Sequence, residues 1–139
     1  MVNRAHIEFY QRYEDSKKVG LSALLYVEEE GQPARMGAEL ERAIKQAHAF
    51  MEKIGRLEEW KGESVAGLLV AMAAHEDRHH GLPRFRPCVS WQEVEYLWKV
   101  YLGPKPGEYS LECFEVDNSG PREFMDDVTK VNWQREERS

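Results

Sequence analysis

Four to five packed helices followed by a C-terminal β-hairpin, an α+β arrangement with segregated elements, is the fold class that the residue pattern predicts. Three observations carry it. Apolar residues recur at i, i+3 and i+4 in several segments before Leu102. The strongest breaker in the chain, Gly103-Pro104-Lys105-Pro106-Gly107, follows directly. Beyond it, Tyr109, Leu111 and Cys113 alternate as the residues of a half-buried strand do. A length of 139 residues suits one domain over 1–139. Within it the helical part is expected at about 3–102, the hairpin at about 108–133, and a frayed, charged tail at 134–139.

In chain order, residues 3–18 read as a helix, with Asn3 as its cap and Ile7, Tyr10 and Tyr13 on its stripe. Residues 21–30 fit either template. Leu21, Ala23, Leu25 and Val27 alternate, while Leu21, Leu24 and Leu25 suit a helix, which the Leu, Ala and Glu content favours. After the Gly31-Gln32-Pro33 turn, residues 37–54 form the most regular helix, with Leu40, Ile44, Ala47, Met51 and Ile54 as its stripe and Gly55 as its stop. His48 flanks that stripe. Leu57 and Trp60 in the next connection are expected to cover the core.

The stretch GESVAGLLVAMAAHEDRHHG, Gly62 to Gly81, is the most apolar helical segment. Val65, Leu68, Leu69 and Met72 share one stripe, and extending it by a turn brings in His75, Glu76, His79 and His80. Leu82 to Val89 reads as an extended loop. Ser90-Trp91-Gln92-Glu93 matches a capping box and predicts a helix to Leu102. Glu108–Asp117 and Phe124–Trp133 are the expected hairpin strands.

His75-Glu76-Asp77-Arg78-His79 also matches H-E-x-x-H, which sets two imidazoles one turn apart with a carboxylate placed as general base for a zinc-bound water. Glu93 or Glu95 would then supply the third ligand. The charged Asp77-Arg78 centre and the break at Gly81 count against that reading, and mutual pairing at a helix C-terminus is the simpler one. No phosphate-binding glycine loop and no G-x-S-x-G elbow occurs.

The net charge of -6 disfavours nucleic acid and anionic membrane as partners. Cys88 and Cys113 lack C-x-x-C spacing, and the first residues, MVNRAHIEFY, lack an apolar signal core, so a reducing cytoplasm is the expected compartment. Two functions follow as expectations. The first is an acidic, soluble protein-binding module of inhibitor, immunity-type or accessory kind. It would need no cofactor and would dock on a basic partner protein through Trp98, Tyr101, Arg84 and Arg86, with a homo-oligomer left open. The second is a small zinc-dependent hydrolase, with His75, His79 and Glu93 or Glu95 on the metal and Glu76 as catalytic base.

Overall fold

The computed structural model describes residues 3–12, 19–76, 84–88, 92–116 and 128–131. Strands β1 (Ala5–Arg12) and β2 (Val19–Val27) come first, then helix α1 (Pro33–Lys53), a 3₁₀ turn at Leu57–Glu59 and helix α2 (Gly62–Glu76). Strands β3 (Arg86–Pro87), β4 (Tyr96–Leu102), β5 (Tyr109–Val116) and β6 (Val128–Val131) complete the described elements. All six strands belong to one sheet in the order β3-β2-β1-β4-β5-β6. The central pair, β1 and β4, is parallel, and every other pairing is antiparallel.

Two helices and a six-stranded mixed sheet replace the expected four to five helices plus a hairpin. Three segments account for the difference. The helix expected over 3–18 contains β1, whose period is two: Ala5, Ile7, Phe9 and Gln11 point to one face, and His6, Glu8, Tyr10 and Arg12 to the other. The helix favoured over 21–30 overlaps β2, in which Ala23, Leu25 and Val27 stand opposite Phe9, Ile7 and Ala5. A bulge shifts the register between Phe9 and Tyr10. The helix expected to end at Leu102 is β4 instead. Gln92–Val94 are not helical, and Ser90 and Trp91 lie outside the described residues. In each case ladder bonds to a neighbouring strand overrode local propensity.

The expected strand over Glu108–Asp117 is present as β5, and it pairs with β6 in the register Cys113↔Val131. Phe124–Asp127 and the tail 134–139 lie outside the described residues.

Both helices cover one face of the sheet and share a single apolar core with it. α1 starts with Pro33, whose missing N–H costs nothing in a first turn. It buries Met36, Leu40, Ile44, Ala47 and Met51, and Gly55 follows at φ 68, a left-handed conformation that suits glycine. α2 lies over β1, β2 and β3. Its first residue, Gly62, donates its N–H to Gln11 Oε1 at 3.1 Å and sits so close to Ser22 that a Cβ would collide. α1 flanks α2 toward the other end of the sheet, where the His48 ring lies against Gly107 in the β4–β5 turn and edge-on to Trp60 at 5.5 Å. Trp98 Nε1–H donates to Gly31 O at 2.8 Å, and Trp60 Nε1–H to Glu108 O at 3.2 Å, so both indoles are buried with their donors satisfied.

Candidate functional site

The two outer surfaces differ in kind. On the sheet face away from the helices, aromatic and charged side chains answer one another, although Leu21, opposite Tyr10, is 52% exposed. The Tyr10 and Tyr101 rings stack at 5.3 Å between centroids, and a cation lies against each: Lys99 Nζ 5.6 Å from Tyr10, and the Arg12 guanidinium 5.3 Å from Tyr101. Lys99 also lies 5.2 Å from the Phe114 ring. The Tyr10 hydroxyl donates to Glu8 at 2.9 Å, and the Tyr101 hydroxyl to Glu112, which also pairs with Lys130 at 3.0 Å. Burial pushes the Tyr101 phenol up to about 12, with the Glu112 charge adding to the effect. Glu8 is 5% exposed, and burial raises its carboxyl pKa although Tyr10 and Lys99 pull the other way.

Toward the start of β1 the same face is closed by the segment before β4. His6 Nε2 lies 2.9 Å from Gln92 N, whose N–H donates to it when that nitrogen is unprotonated, and 3.1 Å from Gln92 O, to which it donates when protonated. Burial lowers the His6 pKa, against hydrogen bonds that raise it. Beside it, Arg4 holds Glu95 through its own N–H and through the guanidinium, at 2.8 Å each. Burial pulls the Glu95 carboxyl up, but the bonds from Arg4 outweigh it and leave the group below the usual range.

The outer surface of the helix layer is not answered in this way. From Val65 to Ala74, α2 carries no charged residue. Val65, Ala66, Leu69 and Ala73 face the sheet. The expected core stripe is fully buried at Val65 and Leu69, while Leu68 and Met72 pack against the same core half-buried, on the side toward α1. These two, with Phe50, Ala71, Gln46, His75 and Glu76, line an open groove of about 320 Å³ between the helices. Phe50 is 44% exposed, and Ile54, one turn further on, is 51% exposed. Exposed Gly67 and Ala74 lie beside the groove on α2. The helices run antiparallel: Arg42 pairs with Glu76 at 3.5 Å at one end, and Phe50 is level with Leu68 further along.

The sequence-derived site residues are scattered. His75 and Glu76 are exposed at the end of the groove, and His79 lies outside the described residues. Glu93 is exposed, and Glu95 is engaged by Arg4. Among the described residues no group of three or more His, Cys, Asp or Glu could hold a metal ion. Of the four residues assigned to partner binding, Trp98 is 0% exposed on the helix-facing side of β4 and offers no surface. Tyr101 belongs to the stacked row. Arg84 pairs with Glu30 and Glu39, and Arg86 with Glu28, its guanidinium also lying 5.3 Å from the Tyr26 ring. Burial pushes the Cys113 thiol up to about 12, which leaves no thiolate for nucleophilic work near neutral pH.

Sequence reasoning missed Phe50, Ile54 and Ala71. The signal was present in α2, because a helix that is apolar all round must cover something on every side. No helix among the described residues is long and apolar enough to cross a membrane. No family model matches the chain, and no curated protein and no solved structure matches it either.

Proposed function

We propose that the chain is a non-catalytic protein-binding module of inhibitor, immunity-type or accessory kind, and that it docks through the α1–α2 groove. One observation carries this reading. α2 carries no charged residue from Val65 to Ala74, yet Gly67, Ala71 and Ala74 are exposed and Leu68 and Met72 only half-buried beside the exposed Phe50. Contiguous apolar surface rimmed by polar residues, here Gln46, His75 and Glu76, is the usual mark of a protein-contact site. The tyrosine row on the sheet supports the choice of face, because its rings and charges already satisfy one another.

The test is photo-crosslinking and affinity capture with the tag-free chain. Ala71→Glu places a carboxylate in the groove at an exposed position and should abolish capture while leaving thermal unfolding unchanged. Tyr101→Ser, on the opposite face, should leave capture intact. Capture indifferent to Ala71→Glu overturns the reading. Zinc-dependent peptide hydrolysis that disappears with Glu76→Gln would replace it with a metallohydrolase.

A further inference from the structure

The chain leaves the two central strands in opposite directions. β1 and β4 are parallel neighbours, and Gln11 stands beside Leu102 where both strands end. From that edge β1 leads on to β2 and β4 to β5, on opposite sides of the pair. The carboxyl ends of parallel strands whose connections diverge are where open sheets leave a crevice for a ligand. A cleft of about 520 Å³, the size of a small-molecule site, lies at this place. Its wall includes Gln11 and Arg12 of β1, Ser22 of β2, Lys61 and Glu63 at the start of α2, and Pro104 after β4. It shares no residue with the α1–α2 groove.

The polar groups of this wall are mostly donors. Gln11 is 8% exposed, and its Oε1 accepts Gly62 N–H at 3.1 Å. Its Nε2 has one acceptor among the described residues, Arg12 O at 3.5 Å, the far limit of a hydrogen bond. An amide nitrogen carries two N–H groups, so at least one of them has no acceptor there. The Arg12 guanidinium lies 5.3 Å from the Tyr101 ring, a contact that uses its face and leaves its N–H edge. No ion pair among the described residues engages Arg12 or Lys61. The wall also holds two carboxylates. Glu58 is taken by Arg56 at 3.0 Å, so Glu63 alone opposes the two cations.

We infer that this cleft binds a small molecule through a compact oxyanion, a phosphate or a carboxylate. The Arg12 fork takes two of its oxygens, Lys61 supplies the second positive charge, and the Gln11 amide donates from the buried side. The 15-residue helix α2 begins at the same cleft, and the positive end of its dipole favours the same sign of charge. A small ligand fits better than a polyanion, because the net charge of -6 repels an extended chain of phosphates. The inference is independent of the reading of the α1–α2 groove.

The experiment is an NMR titration of the full chain with inorganic phosphate and, separately, with acetate, the ionic strength being held constant with sodium chloride. Saturable shifts are expected at the Gln11 side-chain amide and at the N–H groups of Lys61 to Ser64. Saturation by either anion supports the inference, and the one that binds tighter identifies the head group. Lys61→Ala should weaken binding about fivefold, and Glu63→Gln should tighten it about threefold. Arg12→Lys keeps the charge, loses the fork and should weaken binding by about the same factor as Lys61→Ala. Lys61 and Glu63 are exposed, so neither substitution should disturb the fold, and a gain on Glu63→Gln is not produced by a damaged one. Shifts that chloride reproduces, saturation confined to other residues, or binding indifferent to both Lys61→Ala and Glu63→Gln overturns the inference.

Discussion

The sheet face and the helix-layer face expose similar kinds of residue to opposite effect. On the sheet, Tyr10, Tyr101, Lys99, Arg12, Glu8 and Glu112 form a closed set of stacks, cation–π contacts and hydrogen bonds. On the helix layer, Phe50 lines an open groove with Leu68 and Met72, and Phe50 and Ile54 are 44% and 51% exposed. A surface rich in Tyr and Arg is therefore not by itself a docking surface. What matters is whether its groups are already satisfied, because a partner must then compete with existing contacts.

The comparison can be sharpened by mutation, beginning with the largest effect. Leu69→Ala, on the sheet side of α2, should lower stability by about 2–5 kcal/mol in urea unfolding. Leu68→Ala, on the groove side, should cost under about half as much, because less area leaves contact. Equal losses would mean that the two sides of α2 are equally buried and that the groove is not there.

Next in size is Tyr10→Ala. It removes the ring stack and the donor of the buried Glu8 carboxyl and should cost about 1–3 kcal/mol. Phe50→Ala should stay within about 0.5 kcal/mol of wild type and should instead weaken partner binding. If Tyr10→Ala were silent and Phe50→Ala unfolded the chain, the roles of the two faces would have to be exchanged.

A smaller effect is expected from pH, and its sign differs between two neighbours on β1. The folded pKa of His6 is lowered below 6.5, so the unfolded chain takes up the proton first. The contribution of His6 is complete above about 6.5 and is lost as pH falls from there through the folded value. Glu8 acts oppositely. Its folded pKa is raised above 4.5, so protonation favours the folded state, and stability is gained as pH falls through the folded value toward 4.5. Urea midpoints between pH 8 and about 4.5 carry the two effects with opposite sign, the fall on acidification being that of His6. Glu8→Gln should steepen that fall by removing the opposing gain. A flat profile for both proteins would show that neither group is buried as the sheet face implies.

The smallest effect belongs to Glu76→Gln. Its pair with Arg42 is about half exposed on both sides, so stability should change by under about 0.5 kcal/mol. A large loss would mean that the end of the groove is closed by something that holds Glu76.

The sequence by itself determined the elements whose pattern has one interpretation. α1 was legible because five apolar residues at helical spacing lie between Pro33 and Gly55. β5 was legible because breakers bound it and its apolar residues alternate. The apolar character of α2 was legible as well, but not its rotation. With nearly every position from Val65 to Ala74 apolar, the helical period alone does not say which stripe meets the sheet, and the packing against β1, β2 and β3 chose Leu69 over Leu68.

Only the tertiary structure decided β1, β2 and β4. Apart from Lys99, the residues YLWKVYL of β4 are apolar or aromatic on both faces, as central strands are, and such a run fits a helical stripe as readily as a strand. The ladder that makes β1 and β4 central strands joins residues about 90 positions apart, as in His6↔Leu97, and no local window contains both partners, while β2 is held by β1, which is near it in sequence. The groove between the helices is decided in the same way, since Phe50 and Leu68 become neighbours only when two antiparallel helices share one face of that sheet.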